Sequence, residues 1–107
     1  MGPHHRYETV RLSGTLVRGC KGDPLEGAIV TAEEMASGNR RCVESDGQGD
    51  FRIEELPRDR MYEVRLEKKG IVPAFVTVFL SGDKDLGRIT LTSWASHHTS
   101  GPQSLPC

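Results

Sequence analysis

The chain is poor in the residues that chemistry is usually built from. No histidine stands between Arg6 and Ser96; the four histidines form the pairs His4-His5 and His97-His98. A serine or cysteine nucleophile therefore has no strand-borne imidazole as its base, which sets aside Ser45, Ser81 and Cys42. Adjacent histidines diverge and do not by themselves fix a zinc geometry. Aromatic residues make up only 6% of the chain. The formal charge of −1, from 14 basic and 15 acidic residues, gives the chain as a whole no pull on nucleic acid or anionic lipid.

Long apolar runs are also missing. The densest stretch, Ile71 to Leu80, is broken by Pro73 and Thr77 and falls well short of the ~18 residues of a membrane span. Met1 to Arg6 has no hydrophobic segment behind it, so no secretory signal is expected. The expected location is cytoplasmic for a complete chain, and extracytoplasmic for a piece of a larger exported one. Three cysteines, Cys20, Cys42 and Cys107, are an odd number. Cys20 is expected in the first hairpin turn and Cys42 near the far end of the third strand. That separation exceeds the ~7 Å a disulfide spans between Cα atoms, so free thiols are expected.

What the chain has is turn signals every eight to twelve residues, with alternation between them. Strands are predicted at Thr9–Val17, Gly27–Glu34, Arg40–Ser45, Asp50–Glu55, Met61–Lys68, Ala74–Leu80 and Leu86–Thr92. The fifth is the cleanest, with Tyr62, Val64 and Leu66 on one face and Glu63, Arg65 and Glu67 on the other. The third is polar apart from Val43 and is expected at an edge. The sixth is apolar on both faces and is expected to be central or covered. Leu56-Pro57-Arg58-Asp59 is expected to break the fourth strand, and Gly87 to mark a bulge in the seventh. No segment carries a helical stripe. The chain reads as all-β: a seven-stranded antiparallel two-sheet sandwich over residues 9–92, transthyretin-like or immunoglobulin-like. Residues 1–8 are expected to be a flexible lead and 93–107 a disordered tail rich in Ser, His and Pro, with Trp94 tacking its start to the domain.

Two turns stand out, Gly22-Asp23-Pro24-Leu25-Glu26-Gly27-Ala28 and Asp46-Gly47-Gln48-Gly49-Asp50-Phe51. Pro24 pre-sets φ, Asp46 is placed to bond amides ahead of it, Gly49 is suited to a positive φ, and Phe51 is suited to plug the core. With Gly14, Leu56-Pro57, Tyr62-Glu63-Val64, Gly70 and the closing Asp85 to Leu91, this order resembles the carboxypeptidase regulatory-like domains over residues 10–92. That resemblance implies a prealbumin-type β-sandwich. Hydroxyisourate hydrolases share the architecture it implies, but carry strand histidines and a C-terminal Tyr-Arg-Gly-Ser. This chain has neither, ending Ser104-Leu105-Pro106-Cys107. In metallocarboxypeptidases with such a domain, the zinc chemistry lies in a separate domain.

Other chemistries fit poorly. Asp46, Gln48 and Asp50 alternate oxygens as a calcium loop does, but Gly49 is off the glycine position and no Glu stands at position twelve. Glu33-Glu34 and Glu54-Glu55 point to opposite strand faces, unlike a glycosidase pair. An isopeptide-linked adhesin module needs a buried strand-borne Asn or Asp beside a Lys and a Glu; the lone asparagine, Asn39, is in a turn, and no such trio is read in the sequence. Arg40-Arg41 and Lys68-Lys69, with Arg58 and Arg60, are candidates for a basic patch; Arg40, Arg41, Arg58 and Arg60 are expected at one end, interleaved with acids as a solvated rim.

No catalytic residue, metal ligand or cofactor is therefore expected. The expected function is a non-catalytic module for protein binding or scaffolding. Its contact loops are Gly19–Glu26, Asp46–Gly49 and Gly70–Pro73, all expected at one end of the sandwich. Lys21, Asp23, Glu26, Asp46, Gln48, Lys69 and Val72 are its candidate binding residues. The expected partner is another protein or the rest of a larger chain, with a glycan less favoured, and neither nucleic acid nor membrane insertion is expected. The alternatives are a subunit that self-associates through an edge strand, with Arg40–Ser45 as the polar candidate, or a carbohydrate-binding module.

Overall fold

A computed structural model describes residues 8–19 and 21–93. The expectations for His4, His5, Cys20, Trp94, His97, His98, Cys107 and the tail beyond 93 lie outside the described residues. Eight strands and no helix appear among them: β1 Thr9–Arg18, β2 Asp23–Pro24, β3 Ile29–Glu34, β4 Arg40–Glu44, β5 Asp50–Pro57, β6 Arg60–Glu67, β7 Ala74–Leu80 and β8 Lys84–Leu91. The eighth, beyond the seven expected, is the two-residue β2 inside the first long turn.

The strands form two sheets. In one, β1 pairs with β2 and β5 on one side and with β8 on the other; the second runs β4-β3-β6-β7. Every pairing is antiparallel except β1–β8, which is parallel. This departs from an entirely antiparallel arrangement for a topological reason. β8 enters from the opposite sheet through Ser81–Asp83, not through a hairpin with β1. Arg58 N–H donates to the Glu8 carbonyl and Asp59 N–H to the Leu80 carbonyl, so β7 ends where β1 begins. β8 must then run alongside β1 in the same direction.

The core lies between the sheets and follows the two-residue period. Leu12, Leu16, Val30, Ile53, Leu56, Val64, Leu66, Leu80 and Leu91 are fully buried, and Tyr62 is the largest buried side chain. Each contributes about 1.5–3 kcal/mol relative to exposure. Tyr62 Oη donates to the Pro57 carbonyl at 2.7 Å, which satisfies its polar tip at the β5–β6 corner. Phe51 sits on Gly14: a Cβ there would fall 2.7 Å from the ring. Gly14 in β1 and the aromatic after the second signature turn are thus one packing unit.

Two strand readings are corrected. β5 does not break at Leu56-Pro57. The β1–β5 register slips between Val10 and Leu12, opposite the extra residue of β5, and Glu55 takes a φ of 57° there. A bulge absorbs the irregularity, and Pro57 is tolerated because β5 is an edge. β7 is not central or covered but an edge, with Phe75, Thr77 and Phe79 facing solvent. The polar β4 is at an edge as expected. The register slip between Ser13 and Thr15 lies opposite Leu86-Gly87, where Gly87 has a φ of 77°.

Candidate functional site

The three predicted contact loops do meet at one end of the sandwich. Gly19 N–H donates to the Leu91 carbonyl and Val72 N–H to the Thr92 carbonyl, which ties the first and third loops to the end of β8. Ile71 and Ser93 form an isolated bridge beside them. Leu16 N–H donates to the Gly49 carbonyl at 2.7 Å, and Leu25 N–H to the Leu16 carbonyl at 3.0 Å, so β1 holds both signature turns. Gly49 has a φ of 81°, and an added Cβ would collide with the Leu16 carbonyl oxygen. Only glycine lets the backbones approach this closely.

Ser45 stitches the two signature turns together. Its Oγ donates to the Leu25 carbonyl at 2.6 Å and accepts the Ala28 amide at 2.9 Å. Its own N–H donates to the Ala28 carbonyl, and its carbonyl accepts from Gly27 N–H. The sequence raised Ser45 only as a nucleophile without a base. Its place directly before the Asp46 turn was the available signal, but its partners lie 17 and 20 residues away.

Asp46 is structural at one oxygen: its Oδ1 accepts amides from Gln48 and Asp50, both at 2.9 Å. That is the capped turn its position suggested. Asp50 Oδ1 accepts the Thr15 hydroxyl at 2.7 Å. Lys21, Asp23, Glu26, Gln48 and Lys69 are exposed on the rim, while Val72 is half-buried. The rim's formal charges are mixed, Lys21 and Lys69 against Asp23, Glu26 and Asp46.

Elsewhere several charged groups pair with one another. A groove of about 700 Å³ on the outer face of the first sheet is lined by Arg11, Ser13, Thr15, Asp50, Arg52 and Glu54. Arg11 reaches Glu54 and Asp83 at 3.8 Å each, and Arg52 reaches Glu54 at 3.2 Å. At the end opposite the loops, Arg40 faces Glu33, Arg58 faces Glu8 and Asp59, and Arg60 lies 3.5 Å from the buried Glu34. Burial, then the Glu34 carboxylate, raise the Tyr62 hydroxyl above its usual 10.0, with Arg60 and Arg41 pulling the other way. Cys42 is an exposed free thiol 3.4 Å from Thr31 Oγ1. Among the described residues no group of three or more His, Cys, Asp or Glu is placed to hold a metal ion.

The two signature turns and Gly14 carry the resemblance read in the sequence, and a match to the carboxypeptidase regulatory-like domain family spans residues 11–92. The chain belongs to that family. Solved structures share the fold at low identity. A 3-chlorocatechol 1,2-dioxygenase from Rhodococcus opacus 1CP is 12% identical, with a TM-score of 0.63 over 87% of this chain and 62% of its own. A type II cohesin–X-dockerin complex from Acetivibrio cellulolyticus contains a match at 20% identity and a TM-score of 0.63, over 78% of this chain and 58% of that one. The pilus 2b backbone protein of group B streptococcus matches at 12% identity and a TM-score of 0.62, over 78% and 41%. The regulatory-like domain thus spans less than two thirds of each of these chains. No curated protein matches it.

Proposed function

We propose that this carboxypeptidase regulatory-like domain is a non-catalytic interaction module that holds a protein partner, or another segment of a longer chain, at its loop rim. One observation carries the reading. The rim backbone is fixed by Ser45, Gly49 and the β1 amides, while the side chains of Lys21, Asp23, Glu26, Gln48 and Lys69 make no hydrogen bond or ion pair among the described residues. A frame that is already rigid loses little ordering entropy on binding, and its free polar groups supply specificity. The fold's occurrence in a cohesin–X-dockerin complex and in a pilus backbone protein agrees with such a role.

The test is quantitative affinity capture with the wild-type domain and with a rim variant, Lys21→Glu/Glu26→Lys/Lys69→Glu. A partner enriched by the wild type should be lost with the variant, whose thermal midpoint should stay unchanged. Equal capture by both would refute the rim as the site.

A further inference from the structure

We propose that a second copy of this chain docks on β7, edge to edge and antiparallel, about a two-fold axis midway between the two copies of Thr77. This surface is separate from the loop rim, and the inference stands whether or not the rim reading holds.

The sheet edges are treated unequally. β4 carries Arg40, Arg41 and Glu44; β5 carries Asp50, Arg52 and Glu54 with a bulge at Glu55; β8 carries Lys84, Asp85 and Arg88 with Gly87 at a positive φ. Charges and bulges of this kind discourage strand addition. β7 reads Ala-Phe-Val-Thr-Val-Phe-Leu, with no charge, proline, glycine or bulge, and pairs with β6 in unbroken register from Leu80 to Ala74. Its outer face is open: Phe75 is 55% exposed, Phe79 53% and the neighbouring Met61 44%.

The sequence of β7 names the occupant, because it is nearly symmetric about Thr77. An antiparallel copy centred there sets Phe75 opposite the partner's Phe79, Val76 opposite the partner's Val78, and Thr77 opposite the partner's Thr77. Every outward aromatic then meets an aromatic, the favoured cross-strand pairing. With the β6–β7 register, the rows across the joined sheet become Met61, Phe79, the partner's Phe75 and the partner's Arg65. Arg65 already lies over Phe75, 5.6 Å from the ring centre. Four rings, each about half exposed and each offering ~150–250 Å² in full, present roughly 400 Å² in all, of which strand pairing at the edge covers the facing flanks. That places the interface at the small, reversible end, below ~1,200 Å².

The experiment uses the full 107-residue chain. Sedimentation equilibrium of the wild type should show a reversible monomer–dimer equilibrium in the micromolar range. Thr77→Lys, which sets two like charges face to face on the axis, should abolish it and leave the circular dichroism spectrum and thermal midpoint unchanged. With Cys20, Cys42 and Cys107 replaced by serine, Thr77→Cys should cross-link to itself under mild oxidation. Phe75→Cys and Phe79→Cys should cross-link when mixed, and neither alone. A wild type that stays monomeric at the highest attainable concentration overturns the proposal and leaves β7 to an unlike partner. A dimer that survives Thr77→Lys, or a Phe75→Cys chain that self-links as fast as Thr77→Cys, overturns it too.

Discussion

Replacing Ser45 with alanine removes one hydroxyl and leaves two buried backbone groups without a partner. Ala28 is 0% exposed and Leu25 2% exposed, so neither the Ala28 amide nor the Leu25 carbonyl regains water. A neutral hydrogen bond contributes only about 0.5–1.5 kcal/mol net, but an orphaned buried group costs about 1–3 kcal/mol. Two such groups sum to about 2–6 kcal/mol, and relaxation of the shared site brings the expected loss to about 2–4 kcal/mol. At roughly 4–8 °C per kcal/mol for a domain of this size, the thermal midpoint should fall by about 10–30 °C. The assay is urea unfolding followed by far-ultraviolet circular dichroism, with exposed Ser81→Ala as a control that should stay within about 0.5 kcal/mol of wild type. Hydrogen exchange gives a local reading, since the Ala28 amide should lose protection before β6 does. A Ser45→Ala loss below about 0.5 kcal/mol, with Ala28 still protected, would refute the claim that this hydroxyl binds the two turns together.

Gly49→Ala should cost more, about 3 kcal/mol or above, because it combines a positive φ with a collision at the Leu16 carbonyl; denaturant midpoints read this directly. Tyr62 supplies a pH test. Its folded-state pKa is raised, so its contribution is fully present below about pH 10 and is lost as pH rises above that, where the unfolded chain ionises first. Tyr62→Phe should be less stable than wild type at pH 7 by about 1–2 kcal/mol, through the lost bond to Pro57, and should show a shallower decline above pH 10. Parallel declines in the two proteins would contradict the raised pKa.

The period-two strands were legible because burial on one face writes itself into the sequence. Tyr62-Glu63-Val64-Arg65-Leu66 could be read only one way, and the Asp46 turn held as its chemistry required. Sheet edges were harder, since edge position depends on which strand lies beside which. Ala74–Leu80 looked covered because both faces are apolar, yet that pattern also describes an edge awaiting a neighbour. The parallel direction of β8 was hidden for the same reason: it is set by where β7 delivers the chain, not by any residue of β8. Ser45 was silent because its bonding partners are distant in sequence, and a serine beside a turn is ordinary. The loops' meeting at one end was legible from alternation of strand direction alone.

The parallel β1–β8 pair also governs how the domain bears mechanical load. The first and last strands are direct neighbours, but the chain enters at one end of the sandwich and leaves at the other. Tension between Thr9 and Leu91 therefore slides β1 along β8, and the register pairs from Leu12↔Lys84 to Arg18↔Leu91 must yield together rather than unzip singly. A string of such units would extend end to end, each resisting the pull in shear.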